Sequence, residues 1–148
     1  MIVVDSSTLI SLARSGNVDL LLESPLGVVI PDVAWQETVE VGRAAGDDDA
    51  RVVEERLSHL ERRASASDGD AGVLEVARGS DGLVCDDIVL GRRARSLGVR
   101  WLRTPDLVLL LVRCGRISRS RGQGAITALR EAGRLHEANA LSYLKELG

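Results

Sequence analysis

The strongest constraint on how this chain can fold lies in its first dozen residues. Residues 2–4 (Ile2, Val3, Val4) are wholly apolar and β-branched, the run stops at Asp5, and Ser6 and Ser7 lead into an apolar helical pattern through Leu9, Ile10 and Leu12. That order reads as a short buried strand, a helix cap and a helix, with a carboxylate at the strand's end. The same grammar returns further on. Residues 27–30 form a second apolar run with Pro31 behind it, and Pro31 suits the first turn of a helix through Trp35 and Glu37 to about Val41.

Asp47, Asp48 and Asp49 precede residues 50–60, where Val52, Val53, Leu57 and Leu60 share a helical face. The acidic triplet favours that helix's N-terminus, and this reading is preferred to a metal site. Residues 64–68 are a small, polar loop. Asp70 opens another helix with Val73, Leu74 and Ala77 buried and Gly79 as its stop. A third strand over 82–85 ends at Asp86 and Asp87. A helix over 90–97 with Gly98 at its end precedes a fourth strand over 99–102. Thr104 and Pro105 then start an apolar helix through Cys114, residues 118–124 are a polar loop, and helices over 125–132 and 138–147 close the chain.

The alternation predicts an α/β fold: one domain over residues 1–148, with a parallel sheet of about four to five strands flanked by helices. A chain of 148 residues with 45% apolar content is long enough for one sizeable core. With no phenylalanine, that core is built from Val, Leu, Ile and Ala, and few aromatic platforms remain for stacking single-stranded bases. Trp35 and Trp101 read as core or interface residues. No apolar run approaches the length of a membrane span, and the first strand lacks the charged start of a signal peptide, so a cytoplasmic location is expected. Cys85 and Cys114 are too few for a disulfide framework and read as free thiols.

Function is written in the acids. In an open parallel sheet the reactive crevice lies beyond the carboxyl ends of the strands, where Asp5 and Asp86 fall; they become neighbours if the first and third strands pair. Glu37 and Asp70 sit on helices that reach the same edge. Crowded carboxylates repel and raise one another's pKa unless a cation intervenes. Mg²⁺ or Mn²⁺ prefers carboxylate and water oxygens, whereas no His/Cys spacing suits zinc, and His59 and His136 stand alone. A metal-loaded acidic site of this kind activates water for in-line displacement at phosphorus. Each acid also has a purely structural reading: Asp5, Asp86 and Asp87 as helix caps, Asp70 as a first-turn residue, Glu37 as a solvated position. Their joint placement carries the functional argument.

The order of these residues resembles the PIN-domain ribonucleases, in particular the prokaryotic branch that includes VapC-type toxins. The likeness rests on residues 2–10, on Ile30 and Pro31 with Glu37, on Gly69-Asp70-Ala71 with Leu74 and Ala77, on Val84-Cys85-Asp86-Asp87, on 92–98, on Thr104 and on 128–133. It covers almost the whole chain through short motifs whose specificity lies in their order. The resemblance implies that Asp5, Glu37, Asp70 and either Asp86 or Asp87 are the catalytic, metal-binding carboxylates, with Ser7 supporting the first aspartate. It further implies RNA cleavage with Mg²⁺ or Mn²⁺, a homodimer, and a small antitoxin protein as inhibitor. The sequence departs from the branch at Cys85, often Thr or Ser, at Gly72, often a second acid, and at Arg103, often glycine.

The net charge of −3 supplies no general attraction for nucleic acid. Nearly every basic residue is arginine, Lys145 being the one lysine. Arg92, Arg93 and Arg95, after Asp86, are candidates for RNA-backbone contact, and Arg100, Arg113, Arg116, Arg119 and Arg121 follow; a solvated face balancing the acids is the competing reading. The leading expectation is therefore a metal-dependent endoribonuclease, the toxin of a toxin–antitoxin pair. Its rival is a PIN-like RNA-binding or regulatory module with too depleted a site to cut. A phosphatase of the haloacid dehalogenase type fits poorly, because it wants a second acid two residues after Asp5, where Ser7 stands.

Overall fold

A computed structural model describes all 148 residues. The apolar run Ile2–Val4 is β1, and α1 follows over Ser6–Arg14. A 3₁₀ segment, Val18–Glu23, leads to β2, Val28–Pro31. Next come α2 (Asp32–Trp35), a π-helical turn over Gln36–Glu40 and α3 (Val41–Ala44). The helix expected to end near Val41 thus continues to Ala44 and carries a π turn where Glu37 sits. Then follow α4 (Asp48–Leu57), β3 (Glu61–Arg63), α5 (Gly69–Ala77), β4 (Gly82–Val84) and α6 (Ile88–Ser96). The chain ends with β5 (Trp101–Leu102), α7 (Thr104–Arg113), α8 (Arg119–Glu131) and α9 (Glu137–Leu147).

All five strands are parallel, in the order β3-β2-β1-β4-β5. β1 pairs with β4 in the register Ile2↔Gly82, Val3↔Leu83, Val4↔Val84. The chain builds outward from β1 through β2 to β3, then returns to β1's other side with β4 and β5. The switch point of the sheet therefore lies between β1 and β4. There the connections leave in opposite directions and a crevice opens at the carboxyl ends.

Strand alternation explains how a small sheet supports two cores. Ile2, Val4, Val28, Ile30 and Val84 point to one face and join Leu9, Leu12, Leu57, Leu107, Leu111, Ile126 and Leu129. Val3, Val29, Leu83 and Cys85 point to the other, against Val73, Leu74, Ala77, Leu90 and Ala94 of α5 and α6. Burial on both faces is what the unbroken apolar runs of β1, β2 and β4 require.

Two expectations need correction. The fifth strand, β3, was not among the strands read from the sequence: Glu61, Arg62 and Arg63 are exposed and polar, and they form an edge strand held by backbone pairing to β2. The stretch 118–124 is not a loop. Ser118 caps α8, accepting from the Arg121 amide at 3.0 Å, and the helix runs on from Arg119. Gly122 is what the packing demands there, since a Cβ would lie 2.4 Å from Val112 Cγ2 of α7. No helix is long and apolar enough to cross a membrane.

Candidate functional site

Asp5 occupies the switch point. It leaves β1 in extended geometry, its amide donates to the Val84 carbonyl at 3.1 Å, and its side chain caps α1 by accepting from the Ser7 amide. The capping and strand-end readings are thus both true of one residue. Only 5% of Asp5 remains exposed. Ser7 Oγ donates to Asp5 Oδ2 at 3.0 Å and accepts from the Asp86 amide at 3.0 Å, so one hydroxyl joins the two strand-end acids. No hydrogen bond reaches Asp5 Oδ1.

Asp86 is placed by β4 and held from beneath. Its Oδ1 accepts from the Thr104 amide at 2.9 Å, and its Oδ2 from the Thr104 hydroxyl at 2.8 Å and the Ser11 hydroxyl at 2.7 Å. Thr104 begins α7 at the end of β5, and its hydroxyl lies 3.0 Å from that of Thr8. Asp87 has a different job. It caps α6 by accepting from the Leu90 amide at 3.1 Å and is exposed. Of the adjacent pair, Asp86 faces the crevice network and Asp87 serves the helix.

Burial pushes the Asp5 carboxyl above the usual aspartate value of 3.8; the hydrogen bonds from Ser7 and the nearby Ser6 amide oppose the rise, and the charge of Glu37 adds to it. Glu37 is exposed on the π turn and acts on Asp5 through its charge. Asp70 stands in the first turn of α5, exposed, with Arg93 Nη1 3.8 Å from its carboxylate. Arg92, Arg93 and Arg95 are all exposed along α6, with Arg95 lying 5.7 Å from the Trp101 ring centre. Gly72 leaves no room for the acid the related branch often carries: a Cβ there would meet Ser67 O at 2.4 Å and Ser65 Oγ at 2.7 Å.

Asp5, Glu37 and Asp86 have no cationic side chain at ion-pairing distance. The expected convergence of Asp5, Glu37, Asp70 and Asp86 or Asp87 is not met, since no three His, Cys, Asp or Glu side chains close into a group that could by itself hold a metal ion. The donors are nonetheless right in kind for a hard divalent cation, which needs only one or two carboxylates because it keeps several of its waters. A free oxygen on buried Asp5, beside Asp86 and near the charge of Glu37, fits such an ion. The largest cleft, about 600 Å³, lies elsewhere, beside β3, where Arg62 covers Trp35 at 4.8 Å.

Cys85 lies fully buried beneath the acids, and its thiol is pushed up to about 12 by burial and by the charges of Asp5, Asp86 and Asp87. It is therefore protonated and unreactive at neutral pH. Cys114 is exposed. A thiol reagent at pH 7.5 should modify one cysteine in the native protein and two after denaturation. Rapid modification of both in the native protein would contradict the burial of Cys85 under the site.

Ser11 and Arg134 went unnoticed in the sequence. Ser11 lies one helical turn beyond Ser7 on α1, a spacing that was available; Arg134 offers no sequence signal at all.

A parallel α/β sheet with strand-end carboxylates at its switch point is consistent with a nuclease-like domain. Over residues 1–147 the chain matches the family described as PIN domain, and it belongs to that family. PIN domains are generally metal-dependent nucleases. No curated protein matches the chain.

Proposed function

We propose that this protein is a divalent-metal-dependent ribonuclease that hydrolyses RNA phosphodiester bonds. The observation that carries the reading is the pair Asp5 and Asp86 at the β1/β4 switch point, joined through Ser7 and with no cationic side chain at ion-pairing distance. Asp5 and Asp86 would hold Mg²⁺ or Mn²⁺, with the charge of Glu37 acting on Asp5; Asp70, exposed and paired to Arg93, would join them only on leaving that pair. What such a cation supplies when bound is polarisation of a phosphoryl oxygen and a more acidic water. The chain's own part is to fix the carboxylates: Ser7 orients Asp5, while Ser11 and Thr104 orient Asp86. The exposed arginines of α6 supply charge for the RNA backbone.

The biological role we propose is that of a VapC-type toxin acting in the cytoplasm as a homodimer and restrained by an antitoxin. Ile88 and Val89, directly after Asp87, are 48% and 66% exposed, and this apolar surface beside the acids supports a protein partner there.

A second reading, an RNA-binding module that does not cut, is favoured by Asp70 being paired to Arg93 and by the closed space at Gly72. Incubating purified protein with a cellular RNA pool, and with DNA of matching sequence, in Mn²⁺, Mg²⁺ or chelator separates the two. The proposal expects RNA fragments only with metal. Intact RNA in both metals, with RNA still bound, establishes the binding module instead.

A further inference from the structure

The connector between α8 and α9 places one arginine underneath the acid pair. Gly133, at φ +72°, turns the chain out of α8, and Leu135, buried, anchors the other side. Between them Arg134, half-buried, donates from Nε to Ser11 Oγ at 3.0 Å and from Nη2 to the Ser7 carbonyl at 3.4 Å. These contacts span 123 and 127 residues of sequence.

The chemistry of the groups dictates the direction of the chain of bonds. A guanidinium has donors only and keeps its charge. Ser11 Oγ must therefore accept from Arg134, so its single proton goes to its other partner, Asp86 Oδ2, at 2.7 Å. Ser11 is fully buried, so no water competes for that proton. The second contact grips the backbone of Ser7, whose hydroxyl bridges Asp5 and the Asp86 amide. One side chain from the C-terminal helix pair thus steadies the supports of both strand-end acids.

We propose that Arg134 is a positioning residue for the metal site: it polarises Ser11 toward Asp86 and pins the first turn of α1, holding the two carboxylates ready for a divalent cation. This rests on the metal-dependent reading above. Partners behind a ligand commonly govern metal affinity by 10- to 100-fold.

The test is calorimetric titration of Mn²⁺ into the full-length wild type and into Arg134→Met, Arg134→Lys, Ser11→Ala and the Arg134→Met/Ser11→Ala double variant, with each melting curve recorded. Arg134→Met and Ser11→Ala should each weaken Mn²⁺ binding by about tenfold or more. The double variant should lose no more than the worse single one, because both changes break the same chain. Arg134→Lys, which keeps a donor for Ser11, should recover part of the loss. A merely structural arginine would lower the melting temperature and leave the affinity of the folded protein unchanged, and that result overturns the inference, as do additive losses. Should Arg134→Met not fold, Ser11→Ala carries the test alone, and wild-type affinity in it overturns the inference. Wild type that binds no Mn²⁺ overturns this inference and the ribonuclease reading together. Wild type that binds Mn²⁺ but cuts no RNA, with the variants weakened as stated, removes the ribonuclease reading and supports the role of Arg134.

Discussion

Asp5→Asn should lose RNA cleavage by at least about a hundredfold and yet melt higher than the wild type in metal-free buffer at pH 7. The activity loss follows from removing a ligand outright, since disturbing the groups behind a ligand already costs about 10- to 100-fold. The gain in stability follows from burial. The Asp5 carboxyl titrates above its usual value because its charge is desolvated, so the folded protein binds that proton more tightly than the unfolded chain does. Metal-free stability therefore falls as the pH rises from about 4 through the folded-state pKa. Asparagine removes the charge and remains an equally good cap for α1, so the helix start is preserved. The same variant should show no rise in melting temperature on adding Mn²⁺, whereas the wild type should rise with metal concentration by mass action. Thermal melts at pH 5 and pH 7, with and without Mn²⁺, check all three points. A variant less stable than wild type in chelator would contradict the account of Asp5 as a buried, uncompensated charge.

A large effect on stability is expected at Gly91. A Cβ at this position of α6 would lie 2.0 Å from Cε2 of Trp101, so the indole must move. That ring also donates from Nε1 to the Cys85 carbonyl at 3.0 Å, directly before Asp86. Overpacking of this kind costs about 1–3 kcal/mol, against at most about 1 kcal/mol gained from replacing a helical glycine. With a hydrogen bond disturbed as well, Gly91→Ala should lose about 2 kcal/mol, which in a chain of this size is about 4–8 °C of melting temperature. Gly124→Ala is the control, because nothing lies within 4 Å of a Cβ there; that helical position should be neutral or slightly stabilised. If the two variants melt alike, Trp101 does not press on α6 as described. Because the displaced ring supports the turn into Asp86, Gly91→Ala should also lower cleavage at temperatures where it is still folded.

These two cases show which parts of the molecule the sequence carried. Asp5 and Asp86 were legible because each ends an apolar run, and the strand-end rule then predicts their convergence without any contact being known. The β1–β4 pairing bears this out. Which of Asp86 and Asp87 bonds the Leu90 amide, and which the Thr104 and Ser11 hydroxyls, needed the structure, since either could have capped the helix. β3 was invisible because Glu61, Arg62 and Arg63 have neither an apolar run nor alternation; an edge strand held by one neighbour needs neither. The start of α8 was hidden by Ser118, Gly122 and Gly124, which read as loop chemistry. Gly122 is there instead because α7 approaches too closely for a side chain. The network under Asp86 drew on Thr104, already singled out in the sequence, on Ser11, 75 residues away, and on Arg134, which lies 123 residues from Ser11. Nothing in local spacing records a contact made across more than a hundred residues.

The measurement that bears most directly on the central claim is cleavage of RNA by wild type and Asp86→Asn side by side, each shown to be folded, in Mn²⁺ and in chelator. The account predicts fragments from the wild type in Mn²⁺ alone, and intact RNA in the other three mixtures. Intact RNA from folded wild type in Mn²⁺ and again in Mg²⁺, or equal cleavage by Asp86→Asn, would contradict the assignment of the β1/β4 crevice as a metal-dependent ribonuclease centre.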